Sequence, residues 1–198
     1  MLSMRHFPTC FPKMFFFIYR YILGGYRQTY EKTHTKLFCQ KLGLVNISKE
    51  SDKDLVELLT KTFYGSRADF NQAFRDLSET PIEKWKEVCG KIYWGLGRLR
   101  NSKTFEEFLT EYKKRLAEEN ITDDQRQEIM QQKNPKYILR NWIAQSAIEK
   151  AENDDFSEVQ LLYKILAQPF QEHPEAENLG YSKPPPHWSK DLVVSCSS

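Results

Sequence analysis

Cysteine is sparse in this chain, and it is scattered. Cys10, Cys39, Cys89 and Cys196 form no C-x-x-C pair. That excludes the disulfide framework of a small secreted domain and a cysteine-built zinc site. The four histidines, His6, His34, His173 and His187, also lack ligand spacing, so no metal site is expected. Such usage suits a reducing or mixed compartment, in which any disulfide is single and switch-like. Glycine is scarce too, with eight in all. A phosphate-cradling loop needs glycines on a turn after a strand. GLGRLR offers Gly95 and Gly97 without a strand before them or a third glycine in place. There is no G-x-S-x-G, and no cysteine stands in a nucleophile arrangement with a histidine. The net charge is only +2, so no concentrated basic face for nucleic acid is expected. The longest apolar run, Met14 to Leu23, is broken by Arg20 and is far shorter than the roughly 20 residues a membrane span requires.

Acidic residues are missing from the first 30 positions. Arg5, Lys13, Arg20 and Arg27 all precede Glu31, the first carboxylate. A basic, acid-free, partly amphipathic start fits a mitochondrial transit segment, although serine is scarce. A signal peptide is a second reading, against which stand the interrupting Arg20 and the lack of an A-x-A site. A segment from an unusual translation start is the third. Residues 1–25 are therefore set apart as a targeting or disordered segment.

What is present is helical periodicity. Hydrophobic residues make up 40% and charged residues 28%, an ordinary globular balance for one domain with or without tails. No stretch alternates long enough for a strand. YRQTYEKTHTKLFCQKLGL reads as a helix ending at Gly43, with Cys39 packed beside Phe38. Ser51 or Asp52 caps the next, whose apolar face is Leu55, Leu58 and Leu59. In RADFNQAFRDL, Phe70, Ala73, Phe74 and Leu77 share one face, leaving Arg67, Asp69 and Arg75 on or near the other. TPIEKWKEVCGKIYWGL starts with Thr80 and Pro81 and buries Ile82, Trp85, Val88, Cys89 and Ile92, with Gly95 and Gly97 weakening its end.

KTFEEFLTEYKKRLAEEN turns Phe105, Phe108, Leu109, Tyr112 and Leu116 inward, and Glu111 to Arg115 is an i,i+4 pair on its solvated side. Thr122 and Gln125 form a capping box. Asn134 and Pro135 are expected to open a helix carrying Tyr137, Ile138, Trp142, Ile143, Ala147 and Ile148. Asp154 or Asp155 caps the next, which points Phe156, Val159, Leu162 and Leu166 inward and stops at Pro169. The remainder, with Pro184 to Pro186, reads as a loop and a tail. The expectation is seven or eight helices spanning 26–170, and a loop with a tail over 171–198.

Two acidic pairs, Asp123/Asp124 and Asp154/Asp155, both open helices, where the dipole and free amides account for them without catalysis. NPKYILRN concentrates a cap, a proline, an aromatic, Arg140 and Asn141. A buried arginine or asparagine must find partners. Those partners form either a structural network with neighbouring helices, or a ligand or catalytic core outside this chain.

NPKYILRNWIAQSAIEKAENDDFSE, LAQPFQEHPE and YSKPPPHWSKDLVVSCSS resemble the C-terminal end of selenoprotein O, the kinase-like protein adenylyltransferase family known in bacteria as YdiU. YRQTYEKTHTKLFCQKLGL, RADFNQAFRDLS and FEEFLTEYKKRL are similar to it in the same order, so the likeness runs from about Tyr26 to Ser198. It implies a mainly α fold, the C-terminal helical part of a protein-kinase-like (pseudokinase) architecture with an extended tail. For the full-length family it implies AMP transfer from ATP to Ser, Thr or Tyr hydroxyls of proteins, with magnesium, in mitochondria in eukaryotes. The family's ATP-contacting lysine and magnesium-binding asparagine and aspartate lie before the matching part. No catalytic, cofactor or metal residue is therefore expected in this chain, which is expected to be inactive alone.

Cys196 stands where many animal members carry selenocysteine, so the resemblance marks it as a redox residue with a possible thiol partner. The cysteine common three residues earlier is Val193 here. Expected partners are the protein substrates of the full-length family, with no nucleic acid and no membrane span. The alternative function is a stand-alone helical protein-interaction module.

Overall fold

The computed structural model describes residues 11–47 and 50–193, with backbone alone at 11–19, 21, 22 and 50. Among them are nine α-helices against the seven or eight expected, two 3₁₀ turns and, as the periodicity predicts, no strand. They are α1 (Phe11–Lys41), α2 (Glu50–Ser66), α3 (Phe70–Glu79), α4 (Trp94–Leu99), α5 (Phe105–Leu116), α6 (Asp123–Gln131), α7 (Asn141–Ala151), α8 (Ser157–Ala167) and α9 (Pro174–Leu179). The helices gather around two apolar cores.

The larger core is built by α1 to α6. Leu42, Leu59, Phe74, Leu77, Trp85, Leu96, Phe108 and Tyr112 are fully enclosed in it. Trp85 and Tyr112 stack with ring centroids 5.3 Å apart, and the Arg126 guanidinium lies 5.2 Å from the Trp85 ring on the same stack. Such pairs add about 0.5–1.5 kcal/mol beyond area burial. The helices stop where the chain can turn. Gly43 takes φ +76° directly after α1, a conformation open to glycine at no steric cost. At the start of α6 the Thr122 hydroxyl accepts from the Gln125 N–H, and the Gln125 side chain accepts from the Thr122 N–H. The expected capping box is thus present.

The smaller core joins the 134–140 connector to α7, α8 and α9. Tyr137, Ile143, Ala147, Leu162, Ile165, Ala176 and Tyr181 form it. Residues 174–179, expected as loop, are the helix α9, opened by Pro174 and closed by Gly180 at φ +73°. His187–Asp191 forms a 3₁₀ turn. Ala176 and Tyr181 bury the start of the 171–198 segment against α7 and α8.

Several local expectations fail, each for a tertiary reason. TPIEKWKEVCGKIYWGL is not one helix. A 3₁₀ turn over Ile82–Lys84 leads through irregular turns to α4. Ile82, Trp85 and Val88 are buried as expected, but Cys89 and Ile92 face solvent. The glycines explain the break. A Cβ on Gly95 would stand 2.4 Å from the Ala73 nitrogen, and one on Gly97 would stand 2.6 Å from the Gly90 Cα. Glycine at 95 and 97 is required for the close approach of α4 to α3 and to Gly90.

Asn134 does not cap a helix. It follows α6, is fully buried, and donates to the carbonyls of Lys41 and Met130. The helix expected from Pro135 begins only at Asn141. Lys136 and Tyr137 donate their backbone N–H groups to the Pro169 carbonyl, across the smaller core, instead of into a helix. On α8, Leu162 is buried, whereas Phe156 and Val159 are largely exposed.

Candidate functional site

A polar bay of about 420 Å³ lies between the two cores. Gln72, Arg75, Asp76 and Glu79 of α3 line one wall. Lys91 to Trp94, then Lys136, Glu177, Ser182 and Lys183, line the others. Two of its lining side chains, Arg75 and Asp76, are buried charges.

Asp69 caps α3 by accepting from the Gln72 N–H at 2.9 Å. The same carboxylate receives both arms of Arg140, at 2.6 and 3.1 Å. The Arg140 guanidinium lies 5.4 Å from the Trp94 ring centroid. Burial alone would raise the Asp69 carboxyl; Arg140 and the Gln72 N–H outweigh it and hold the group below its ordinary value. The planar fork of arginine suits this two-toothed contact as lysine could not. Of the two readings of NPKYILRN, the structural network describes Arg140; Asn141 is exposed at the start of α7.

Arg75, expected on the solvated side of α3, is instead buried. It pairs with Glu79 at 2.6 Å and donates to the carbonyls of Asn134 and Phe170 at 3.2 and 3.4 Å. One side chain thus ties α3 to the ends of two later segments. Lys136 bridges Glu172 at 2.8 Å and Glu177 at 3.3 Å. Glu177 also accepts from the Tyr137 and Ser182 hydroxyls.

Asp76 is almost completely buried. One of its oxygens accepts the N–H groups of Gly95 and Leu96 at 2.8 and 2.9 Å; the other accepts from the Gln72 amide. Burial pushes its carboxyl up to about 6, against the pull of those three donors. A carboxylate near neutrality can serve acid–base chemistry only with a free oxygen facing a substrate. Here both oxygens are engaged, one in fixing the first turn of α4 and the other with Gln72 of α3.

A second buried ionic group lies outside the bay. Arg115 of α5 donates to Asp52 at 2.7 Å, to Glu119 at 2.6 Å and to the Asn46 carbonyl at 2.6 Å. The other Glu119 oxygen accepts from Val45 N, Asn46 N and the Asn46 side chain. This corrects two expectations. Asp52 is a buried ion partner, and Arg115 does not pair with Glu111 on the surface; Glu111 lies 3.8 Å from Lys114 instead. Sequence reasoning missed Arg75, Asp76 and Arg115, whose partners lie far along the chain. The spacings of four in Gln72–Asp76, Arg75–Glu79 and Arg115–Glu119 offered a local signal.

The described thiols differ sharply. Cys39 is fully enclosed, and burial pushes it up to about 12. Cys89 is exposed in the turn before α4, where the Lys91 and Ile92 N–H groups hold its thiol below the ordinary value. Cys196, the expected redox residue, lies outside the described residues.

Among the described residues, no three His, Cys, Asp or Glu side chains are gathered to hold a metal ion. The bay does not fit a magnesium–nucleotide either, because the Asp76 oxygens and the Glu177 carboxylate already face donors of this chain. No helix among the described residues is long and apolar enough to cross a membrane.

The model of the family described as protein adenylyltransferase SelO matches residues 20–167. The chain belongs to the SelO protein adenylyltransferase family. The match takes in the larger core, α7 and α8 of the smaller one, and every residue of the bay up to Lys136. Among similar curated proteins is the protein nucleotidyltransferase YdiU of Herminiimonas arsenicoxydans, 41% identical over 175 residues, covering 87% of this chain and 33% of the relative. The YdiU protein of Thioalkalivibrio sulfidiphilus is 37% identical over 179 residues, covering 90% of this chain and 35% of its own. That of Yersinia pseudotuberculosis is 37% identical over 158 residues, covering 80% and 31%. The chain thus spans about a third of the length of the curated relatives it matches.

Proposed function

We propose that this chain is the C-terminal helical portion of a SelO-type protein adenylyltransferase with a protein-kinase-like fold. In that assembly it acts as the platform on which a nucleotide-binding lobe is held. The complete enzyme would transfer AMP from ATP to Ser, Thr or Tyr hydroxyls of proteins, with magnesium held by the lobe, in mitochondria. The observation that carries this reading is the family match over the larger core, α7 and α8, joined to a bay in which Arg75 pairs with Glu79 and Lys136 with Glu177. Asp69–Arg140 and the Arg75 fork fix the angle between the cores, and Asp76 fixes α4. Rigid positioning of reacting groups is what AMP transfer needs from a platform. In this reading the Cys196 thiolate would tune the assembly by thiol–disulfide exchange, attacking one sulfur of an external disulfide to form a mixed disulfide while the other sulfur leaves as a thiol.

Incubation of the purified chain with labelled ATP, magnesium and an acceptor protein tests the platform role. The Herminiimonas arsenicoxydans relative is the positive control. Label on the acceptor with the relative and none with this chain is the expected result. Incorporation by this chain above a boiled sample would show that it carries its own nucleotide site.

A further inference from the structure

The carboxylates of the bay are answered from within the chain. Asp76 accepts three donors, Glu79 pairs with Arg75, and Glu177 pairs with Lys136. The outer cations are not answered. Lys91 and Lys183 are exposed at the bay and enter no ion pair among the described residues. The unspent charge of the bay is therefore positive.

Two buried side chains of α3 each keep one polar atom open to the bay. Arg75 is 4% exposed. Its Nε donates to Glu79, and its Nη1 faces the carbonyls of Gln131, Asn134 and Phe170. Its Nη2 has no partner among the described residues. Gln72 is 8% exposed and gives its amide N–H to Asp76, which leaves its Oε1 without a donor. Among the described residues, the enclosed side-chain atoms that lack a partner are Thr80 Oγ1 and Trp142 Nε1. Arg75 Nη2 and Gln72 Oε1 are not among them, so solvent reaches both, and the bay is the space that both residues line. They stand three apart on α3 and so share a face. A guanidinium arm is a strong donor to an oxyanion. The amide oxygen beside it accepts, so a hydroxyl on the same ligand suits it. Ile92, Tyr93 and Pro184 give the bay an apolar side. A volume of about 420 Å³ suits a small molecule.

We propose that the bay binds a small organic anion with an oxyanion head, a neighbouring hydroxyl and an apolar body. Arg75 Nη2, Lys91 and Lys183 take the oxyanion, Gln72 Oε1 takes the hydroxyl, and the body lies along Ile92, Tyr93 and Pro184. Phosphate monoesters in their monoanionic form and hydroxy acids both carry this set of groups. Arg75 belongs to α3 of the larger core, whereas Lys183 follows α9 of the smaller one, so a bound ligand braces the two cores. The site needs no feature of the adenylyltransferase reading.

Calorimetric titration of the whole chain with phenyl phosphate and with mandelate reads the affinity, and the tighter of the two names the head group. Phenyl sulfate and benzoate keep the ring and a charged head without the hydroxyl, and each should bind about threefold more weakly than its counterpart, or worse. Removing the outer cations, Lys91→Ala with Lys183→Ala, should weaken the tighter ligand by about tenfold or more. Both lysines are exposed, so the melting temperature without ligand should be unchanged. With saturating ligand the wild type should melt higher, and the double variant should gain less. In a nitrogen–proton spectrum the indole signal of Trp94, which lines the bay and donates to the Ser182 carbonyl, should shift on binding, while that of the enclosed Trp85 stays. No binding of either ligand at about 10 mM overturns the proposal. So does binding indifferent to the loss of both lysines, binding that leaves the Trp94 signal unmoved, or equal affinity for the ligands that lack the hydroxyl.

Discussion

Arg115→Met removes the cation that bonds the buried carboxylates of Asp52 and Glu119 in the larger core. Methionine keeps most of the volume and deletes the charge. Asp52 then loses a 2.7 Å partner and Glu119 a 2.6 Å partner, while the Asn46 carbonyl loses a donor. Breaking a buried pair by removing one member costs about 3–5 kcal/mol, because the surviving charge stays desolvated. Total stability of a domain is about 5–15 kcal/mol, so a large share is at stake. For a chain of this size each kcal/mol moves Tm by about 2–4 °C, and a fall of about 10 °C is expected.

The sign of the pH dependence separates this account from simple loss of packing. Burial raises the Glu119 carboxyl, but the Asn46 N–H, Arg115 and the Val45 N–H outweigh it, leaving the group below its ordinary value. A depressed carboxyl stabilises the fold above its unfolded pKa and loses that contribution as pH falls through the folded one. In Arg115→Met the arginine's share is gone, so the penalty should be largest at pH 7 and shrink towards pH 4 as the Glu119 carboxyl takes up a proton. Urea unfolding of both chains at a series of pH values measures it. An exposed pair, Lys113–Glu83, serves as control, and Lys113→Met should change stability by less than about 1 kcal/mol. A penalty for Arg115→Met below about 1 kcal/mol, or one independent of pH, would refute the reasoning.

Asp76→Asn keeps an oxygen for the Gly95 and Leu96 N–H groups, and Gln72 can turn its amide to meet the new one. The raised Asp76 carboxyl gives stability that is full below about pH 4 and is lost as pH rises through about 6; urea titrations should show that slope in the wild type and not in Asp76→Asn, and an unchanged slope would exclude Asp76 as its source. Gly95→Ala forces a methyl into the α3 backbone, 2.4 Å from Ala73 N, so it should cost about 1–3 kcal/mol or more by thermal melting, and wild-type stability would mean that α4 can shift freely. Limited alkylation with peptide mapping should label Cys89 long before Cys39, because one thiol is exposed with a lowered pKa and the other is enclosed with a raised one; early labelling of Cys39 would mean that α1 lifts from the core. The same map ranks Cys196, which the redox reading expects to react at least as fast as Cys89.

The amino-acid order by itself determined most of the helical stretches, though not 85–93, 135–140 or 174–179, because the 3.6-residue recurrence of Phe, Leu and Trp is a local property. It also determined those helix ends that local chemistry controls: Gly43 by its left-handed backbone, and Thr122 with Gln125 by reciprocal hydrogen bonds. Family membership was legible for a similar reason, through the likeness of whole segments such as NPKYILRN to the family, and the family match includes that segment. Only the tertiary structure decided where the charged residues belong. Arg75 and Arg115 occupy spacings that suit a solvated face, yet carbonyls and carboxylates more than 50 residues away surround them. Proline and glycine were ambiguous in the same way. Pro135 follows an asparagine and so copies a helix start, but Asn134 is claimed by the end of α6 and by α1. Gly95 and Gly97 copy a weak helix end, but they are the points where α4 touches α3 and Gly90. A local pattern states what a residue can do; burial against distant backbone selects which of those options has satisfied partners, and that selection is made only when the two cores close on each other.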